Sequence, residues 1–208
     1  MKFFREIFRS GGFSTHRLDA FSDGVFAIVI TLLVLELRIP EVTGEHLSHE
    51  LKHGLKELLP KFISFVVSFL YISIYWINHQ QLFHLIKKFD RGIFWLNSLF
   101  LMCLTFIPFP TALIGSYPHE RIAVIFYGVA MMATALSFVL MKMYILSREK
   151  DEHASSVKHS PIYLLAGPVL YLLAVLLAMV NISFAIAIYL LIPVIYLFAK
   201  IETDIPSS

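Results

Sequence analysis

A carboxylate inside an apolar segment is the feature of this sequence whose chemistry most needs a physical explanation. Asp23, preceded by Ser22, stands just before a run from Gly24 to Leu35 that contains no charged residue. An ionisable side chain in apolar surroundings costs several kcal/mol unless it is paired or hydrated. We therefore expect polar groups from other segments to hold Asp23, and we predict His79 and Asn97 as these partners. A structural role and a titratable role both stay open for Asp23.

The histidines and the single cysteine give no firm indication of metal or redox chemistry. His79 is interpreted as a packing histidine with satisfied hydrogen bonds, with a proton relay as the alternative. Cys103 lies in an apolar run and is interpreted as a packing residue. Within 41–59 the leucine pattern predicts an amphipathic helix at the membrane surface, whose histidines form either a solvated polar face or a zinc site. We predict no metal and no cofactor. The three histidines, at spacings of three and four, are His46, His49 and His53.

One face of the first apolar segment carries a regular stripe. Gly24, Ile28, Thr31 and Leu35 follow one another at spacings of four, three and four, so they share one side of a helix. The pattern alone is more typical of a packed core than of a functional surface. A threonine in a spanning helix usually bonds to the carbonyl groups of its own helix.

The composition defines the elements that must position these residues. Of 208 residues 58% are hydrophobic and 15% are charged, and the mean hydropathy is +0.75. A soluble globular domain cannot bury so much apolar mass, so we predict an all-α polytopic membrane protein with one six-helix domain over residues 1–208. The predicted spans are 18–37, 62–81, 92–117, 122–146, 162–180 and 182–199. The last two are predicted to form a tight hairpin at Asn181, with one long re-entrant segment as the alternative.

The distribution of basic residues predicts the orientation. Lys and Arg are concentrated at the N-terminus and in the loops between the second and third and the fourth and fifth spans, which places both termini in the cytoplasm. No cleavable signal peptide is expected, because the first apolar run lacks a small-residue cleavage site. The formal net charge of +2 is too small to indicate nucleic-acid binding.

The first segment also carries a recognisable motif. Arg17 followed by the stretch Phe21 to Ile28 resembles the RxxxFSD signature of the transmembrane protein 175 family of potassium channels. Further similarity to this family occurs in the stretches Tyr75 to His79, Leu96 to Phe100 and Pro108 to Thr111. The resemblance covers about the first 115 residues. With a single six-helix repeat, the chain resembles the bacterial and archaeal members, which are homotetramers.

This resemblance implies a mechanism and a set of site residues. The first helix of each of four subunits lines the pore, with Ile28 as a hydrophobic constriction, Thr31 as the hydroxyl layer behind a modest potassium preference, and Leu35 as a further apolar layer. The sequence contains no TVGYG-type filter. The implied location is a bacterial or archaeal plasma membrane, with membrane lipid and monovalent cations, potassium above all, as partners. The residues that brace the pore helix are Arg17, Phe21, Ser22 and Asp23.

Two other classes compete with a channel. A secondary transporter, or a proton-linked cation exchanger, usually has more spans, internal repeats and carboxylates near the membrane midplane. An intramembrane enzyme needs a nucleophile with a base, or a metal-ligand set, at membrane depth. The predicted spans contain neither an HExxH nor a GxSxG motif, since the one HExxH pattern, His49 to His53, lies in the surface segment 41–59, and Asp23 is the one deep carboxylate. The sequence favours a channel and not an enzyme, and proton permeation and the gating stimulus stay open.

Overall fold

The computed structural model describes residues 15–40, 47–87, 89–148 and 161–198. Within these ranges all regular structure is α-helical, which confirms the all-α membrane fold. We number the helices in chain order: α1 Thr15–Val34, α2 Leu47–Glu57, α3 Leu59–His84, α4 Arg91–Phe106, α5 Pro108–Ser116, α6 Arg121–Arg148, α7 Pro161–Val180 and α8 Ile182–Phe198.

Within the part of the chain that the structure describes, three segments are long and apolar enough to cross a membrane. They are Leu59–His84, Arg91–Ser116 and Arg121–Arg148. Two shorter apolar helices follow, Leu165–Val180 and Ile182–Tyr196. Each predicted span contains helix, and the sixth is described as far as Phe198. The predicted spans 62–81, 92–117, 122–146, 162–180 and 182–199 correspond to α3, to α4 with α5, to α6, to α7 and to α8.

The first helix begins and ends three residues earlier than the predicted span 18–37. After Val34 the backbone tightens, and the N–H groups of Leu35 and Leu37 bond to carbonyls three residues back, at 3.1 and 3.0 Å. This tighter turn is a common way for an α-helix to end. The chain then reaches Pro40, which disfavours helical backbone in the residue before it. Leu35 therefore lies one residue beyond α1.

The third span is built from two helices. Asp90 caps α4 by accepting a hydrogen bond from the N–H of Ile93 at 2.9 Å. Such a cap satisfies one of the free N–H groups at a helix start. Pro108 and Pro110 have no N–H to continue the ladder, so the chain breaks at Ile107 and resumes as α5.

The bundle packs α1 against α3, α4 and α5, while α6 lies between α4 and α7. The helix α8 packs on α7 and reaches α3. The core between them is rich in aromatic side chains, including the fully buried Phe26, Phe100 and Tyr127. Gly128 permits a close approach here, since a Cβ at this position would lie 2.0 Å from the Tyr189 hydroxyl.

The amphipathic segment forms α2, and residues 41–46, including His46, lie outside the described residues. None of the α2 side chains is buried. His53 lies 3.5 Å from Glu57 on the same face, and His49 is exposed. Among the described residues no three His, Cys, Asp or Glu side chains are grouped closely enough to hold a metal ion. The observed pairing fits a solvated face.

The last two helices are two separate elements that pack on each other on either side of Asn181. The Asn181 N–H ends α7 by bonding to the Leu177 carbonyl at 2.8 Å. The Asn181 side chain then accepts a hydrogen bond from the N–H of Ser183 at 2.8 Å, at the start of α8. One asparagine thus satisfies both helix ends.

Candidate functional site

Helix α1 has two different faces. Its buried face carries an apolar row that is interrupted by one hydroxyl, that of Ser22, which is fully buried. The row faces α3, α4 and α5 and fixes the rotation of α1 about its own axis. The buried residues of α1 are Leu18, Ser22, Phe26, Val29 and Leu33.

A directed chain of hydrogen bonds leads away from Ser22. The Ser22 hydroxyl donates to the Leu18 carbonyl at 2.9 Å. Its oxygen accepts from Asn97 Nδ2 on α4 at 2.9 Å, and Asn97 Oδ1 pairs with His79 Nε2 on α3 at 2.9 Å. All three side chains are 0% exposed. The structure therefore ties three helices together through groups that have no access to water.

His79 completes this chain inside an aromatic enclosure. Its ring stacks on Phe83 at 4.0 Å between centroids, lies nearly parallel to Phe100 at 6.0 Å, and meets Phe26 edge-on at 5.5 Å. Its other nitrogen, Nδ1, is buried without a hydrogen-bond partner among the described residues. This geometry fits a packing histidine better than a relay, because a relay needs a second partner.

Asp23 has partners that the sequence analysis missed. Asp23 Oδ1 accepts a hydrogen bond from Trp76 Nε1 at 2.9 Å and a second one from Gln80 Nε2. The predicted partners lie elsewhere: Asn97 bonds to Ser22, the neighbour of Asp23, and His79 bonds to Asn97. Trp76 and Gln80 are one turn apart on α3, so their side chains reach the same carboxylate.

The opposite face of α1 is uncovered. Ile28 is 59% exposed and Leu35 67%, and Gly24 and Thr31 are exposed as well. The Thr31 hydroxyl donates to the Ile28 carbonyl at 2.8 Å. This leaves the lone pairs of the threonine oxygen as acceptors on the exposed side. The predicted stripe is therefore one continuous free surface of the single chain.

The other two motif residues lie on the exposed part of α1. Phe21 is 58% exposed, one turn before the stripe. Arg17 is exposed at the start of the helix and takes part in an interaction with the rest of the protein.

A second polar cluster, unforeseen from the sequence, joins the start of α4 to the end of α6. Asp90 Oδ2 accepts a hydrogen bond from the Tyr144 hydroxyl at 2.9 Å and lies 3.4 Å from Arg148 Nη2. Arg148 also donates to the Tyr144 hydroxyl at 3.0 Å. Gly92 allows this contact, since a Cβ there would lie 2.2 Å from the tyrosine oxygen. The cluster fixes the first turn of the helix that carries Asn97.

The apolar helices of this bundle hold α1, which is more polar than they are, through buried hydrogen bonds. This is the architecture of a polytopic membrane protein. A family model described as "Endosomal/lysosomal potassium channel TMEM175" matches residues 17–108, which contain the motif and the residues that bond to Ser22 and Asp23. Together with the relatives below, this match shows that the chain belongs to the TMEM175 family. The family and the structural neighbour are ion channels and not enzymes.

Relatives from bacteria resemble nearly the whole chain. A protein of Chamaesiphon minutus named as a potassium channel is 36% identical over 195 residues, which cover 84% of this chain and 92% of the relative. A potassium channel of a Chryseobacterium species is 33% identical over 182 residues, which cover 87% of this chain and 91% of the relative. These alignments confirm the family that the motif indicates.

A vertebrate relative and a solved structure complete the comparison. The Danio rerio protein named endosomal/lysosomal proton channel TMEM175 is 27% identical over 132 residues, which cover 63% of this chain and 25% of that protein. The crystal structure of a lysosomal potassium-selective channel TMEM175 homolog from Chamaesiphon minutus superposes with a TM-score of 0.79 at 32% identity. The superposition covers 89% of this chain and 97% of that one. The fold of this chain is therefore that of a solved channel.

Proposed function

We propose that this protein is a potassium-preferring cation channel of a bacterial or archaeal plasma membrane. Four copies assemble, and α1 of each copy lines the pore, with both termini in the cytoplasm. The observation that carries the proposal is the contrast between the two faces of α1. One face is held in place by a buried hydrogen-bond network, whereas the other is an uninterrupted free stripe.

The composition of α1 supports an axial position in preference to a lipid-facing one. Its 20 residues include Arg17, Asp19 and Asp23, three charges in a helix shorter than each of the three segments that are long and apolar enough to span. Charged side chains in membranes face protein or water. A symmetric assembly that brings the α1 helices together covers the free stripe and gives the charged end access to water. The number of four subunits is taken from the family resemblance.

Ile28 is proposed as the constriction. Its side chain is the largest on the stripe that lies within α1, and it stands one turn after Gly24, where no heavy atom lies within 4 Å of an added Cβ. A ring of four isoleucines excludes water from a narrow pore, and a dewetted segment blocks hydrated ions without any moving plug. Leu35 adds a second apolar ring just beyond the end of the helix.

Thr31 is proposed as the layer that favours potassium. Its hydroxyl hydrogen is used by the Ile28 carbonyl at 2.8 Å, so four such side chains present oxygen lone pairs to the axis. Oxygen ligands replace part of the hydration shell of an ion. One hydroxyl per subunit is a weak site compared with a stack of carbonyl rings. The expected preference for potassium over sodium is therefore modest.

Proton conduction or proton-linked exchange is the second candidate. It is favoured by the name of the vertebrate relatives, which are called proton channels. The ionisable groups in this region are Asp23, on the proposed pore helix itself, and His79, on the neighbouring helix α3. Among the described residues, no chain of hydrogen bonds connects Asp23 with His79 as a proton relay would require. Asp23 bonds to Trp76 and Gln80, and His79 Nδ1 has no hydrogen-bond partner there.

Reconstitution into liposomes separates the two candidates. Vesicles loaded with potassium are diluted into sodium buffer, and proton uptake is followed with a pH-sensitive dye, with and without a proton ionophore. A channel that carries only potassium acidifies the vesicles when the ionophore is present. A proton-linked exchanger acidifies them without it. A planar-bilayer current under applied voltage supports the channel, and the absence of net current in active protein contradicts it.

A further inference from the structure

An open cavity lies at the end of the bundle away from the motif. It has a volume of about 560 Å³ and lies where the start of α6 meets the turn between α7 and α8. Since successive spans run in opposite directions, this end is the one where α1 and α7 finish. The cavity shares no residue with the pore stripe or with the motif network.

The polar half of the cavity consists of hydrogen-bond donors. His119 and Arg121 line it, and neither makes a hydrogen bond or ion pair within the described part of the chain. The side-chain oxygen of Asn181 is used by the N–H of Ser183 at 2.8 Å, so the free amide group of Asn181 is a donor. Among the described lining residues there is no carboxylate; Glu120, between His119 and Arg121 in the sequence, is not one of them. This donor set suits an anion.

The other half of the cavity is apolar and runs along α8. Ile186 and Leu190 are one turn apart on the cavity side, with the small Ala187 beside them. Leu190 is 40% exposed. The apolar wall therefore descends along a membrane helix from a donor-rich rim at the helix ends. An acyl chain packs favourably against such an apolar wall, whereas a small soluble anion gains nothing from it.

We propose that this cavity binds a phospholipid with an anionic headgroup. The phosphate lies against Arg121, the Asn181 amide and the Ser183 hydroxyl, and one acyl chain lies along Ile186 and Leu190. Arg is suited to phosphate because its planar guanidinium donates two parallel hydrogen bonds. The site stands apart from the proposed pore and does not depend on it. It makes the outer rim of the bundle sensitive to the charge of the surrounding lipid.

Native mass spectrometry of the full-length, delipidated protein tests the proposal. The probes are phosphatidylglycerol, phosphatidylcholine with the same acyl chains, and inorganic phosphate. Phosphatidylglycerol is expected to stay bound longer than phosphatidylcholine, whose choline group is repelled by Arg121. One basic residue at a membrane surface raises the affinity for an anionic lipid about fivefold. Arg121→Gln should therefore reduce phosphatidylglycerol binding by about the same factor.

Two further variants make the result specific. Ala187→Trp fills the cavity without changing its charge, so lipid binding should be lost. The fold should tolerate the larger ring, because Ala187 is exposed. Lys56→Gln removes an exposed basic residue of α2 that does not line the cavity, and it should leave binding unchanged. Thermal unfolding of each variant in detergent verifies that the fold is intact.

Three outcomes overturn the proposal. Equal retention of both lipids shows that the headgroup charge is not recognised. Full phosphatidylglycerol binding by folded Arg121→Gln or Ala187→Trp shows that the lipid sits elsewhere. Displacement of the lipid by millimolar inorganic phosphate shows that the apolar wall contributes nothing and that the cavity is a simple anion site.

Discussion

His79 Nε2 and Asn97 Oδ1 lie 2.9 Å apart, and the second hydrogen bond of Asn97 determines which of them donates. Because the Ser22 hydroxyl gives its hydrogen to the Leu18 carbonyl, Ser22 accepts from the Asn97 amide nitrogen. The Asn97 oxygen must then accept from His79, so the histidine carries its proton on Nε2. The network thus selects one neutral tautomer and leaves Nδ1 bare among aromatic rings.

Replacing the central residue of this network should destabilise the subunit. Asn97→Ala leaves His79 Nε2 and the Ser22 oxygen without their partner in a site with no access to water. Leaving a buried polar group unpaired costs about 1 to 3 kcal/mol, so we expect a loss of about 2 kcal/mol or more. Thermal unfolding in detergent measures it. Ser98→Ala is the matched control, since its hydroxyl bonds only within α4, and an equal loss there would refute the special role of Asn97.

A polar residue at the proposed constriction should raise the resting flux. In the proposed tetramer, Ile28→Asn places four amides where the isoleucines would exclude water, and the hydrated pore should then conduct. Potassium flux from liposomes at matched protein density is the measurement. Val34→Asn serves as the control, because Val34 is exposed on α1 but lies about 120° around the helix from Ile28. Unchanged or lower flux in a correctly assembled Ile28→Asn protein would contradict the assignment of the gate.

Removing the hydroxyl of Thr31 should affect selectivity more than flux. Thr31→Val keeps the branched shape of the side chain but takes away the oxygen that the Ile28 carbonyl orients. We expect conduction to continue while the preference for potassium over sodium falls. Thr31→Ser retains the oxygen and should keep the preference. Reversal potentials under bi-ionic conditions measure both variants, and a potential that does not move in Thr31→Val rules out the hydroxyl layer.

Local patterns in the sequence were enough to predict the all-α membrane fold and the family. Hydropathy marks the apolar helices, and the motif with its spacing marks α1 and the stripe that includes Ile28. Partners in other helices were harder to predict, because contacts such as Trp76 with Asp23 depend on how α3 rotates against α1. A tryptophan near a helix end is normally explained by the membrane interface. The sequence therefore gave no sign of its second role.

The contact between Gly92 and Tyr144 predicts that the effect of Gly92→Ala on stability depends on whether Tyr144 is present. Gly92→Ala puts a Cβ 2.2 Å from the Tyr144 oxygen, so the tyrosine ring must shift away from the start of α4. We expect lower thermal stability and loss of the hydrogen bond to Asp90. In a Tyr144→Ala background the clash disappears, and Gly92→Ala should then be neutral or stabilising, since alanine favours helix over glycine by up to about 1 kcal/mol. Equal destabilisation in both backgrounds would disprove this account of Gly92.

The last prediction separates the structural and titratable roles of Asp23. Asp23→Ala removes the acceptor that Trp76 and Gln80 share, and the loss should be about 1 to 3 kcal/mol. Assembly and flux then fall together. Asp23→Asn keeps an oxygen for both donors, so we expect it to assemble normally and to conduct. It differs from the wild type only in the missing charge.

Size-exclusion profiles and flux at two pH values, measured for the wild type and both variants, decide between the roles. If Asp23 only braces α1, Asp23→Asn keeps whatever pH dependence the wild type has, because its two hydrogen bonds survive. If the carboxylate also titrates in gating, that dependence disappears in Asp23→Asn although the assembly is intact. A stable Asp23→Ala assembly with wild-type flux at both pH values would contradict both roles, since it would show that the hydrogen bonds from Trp76 and Gln80 are dispensable.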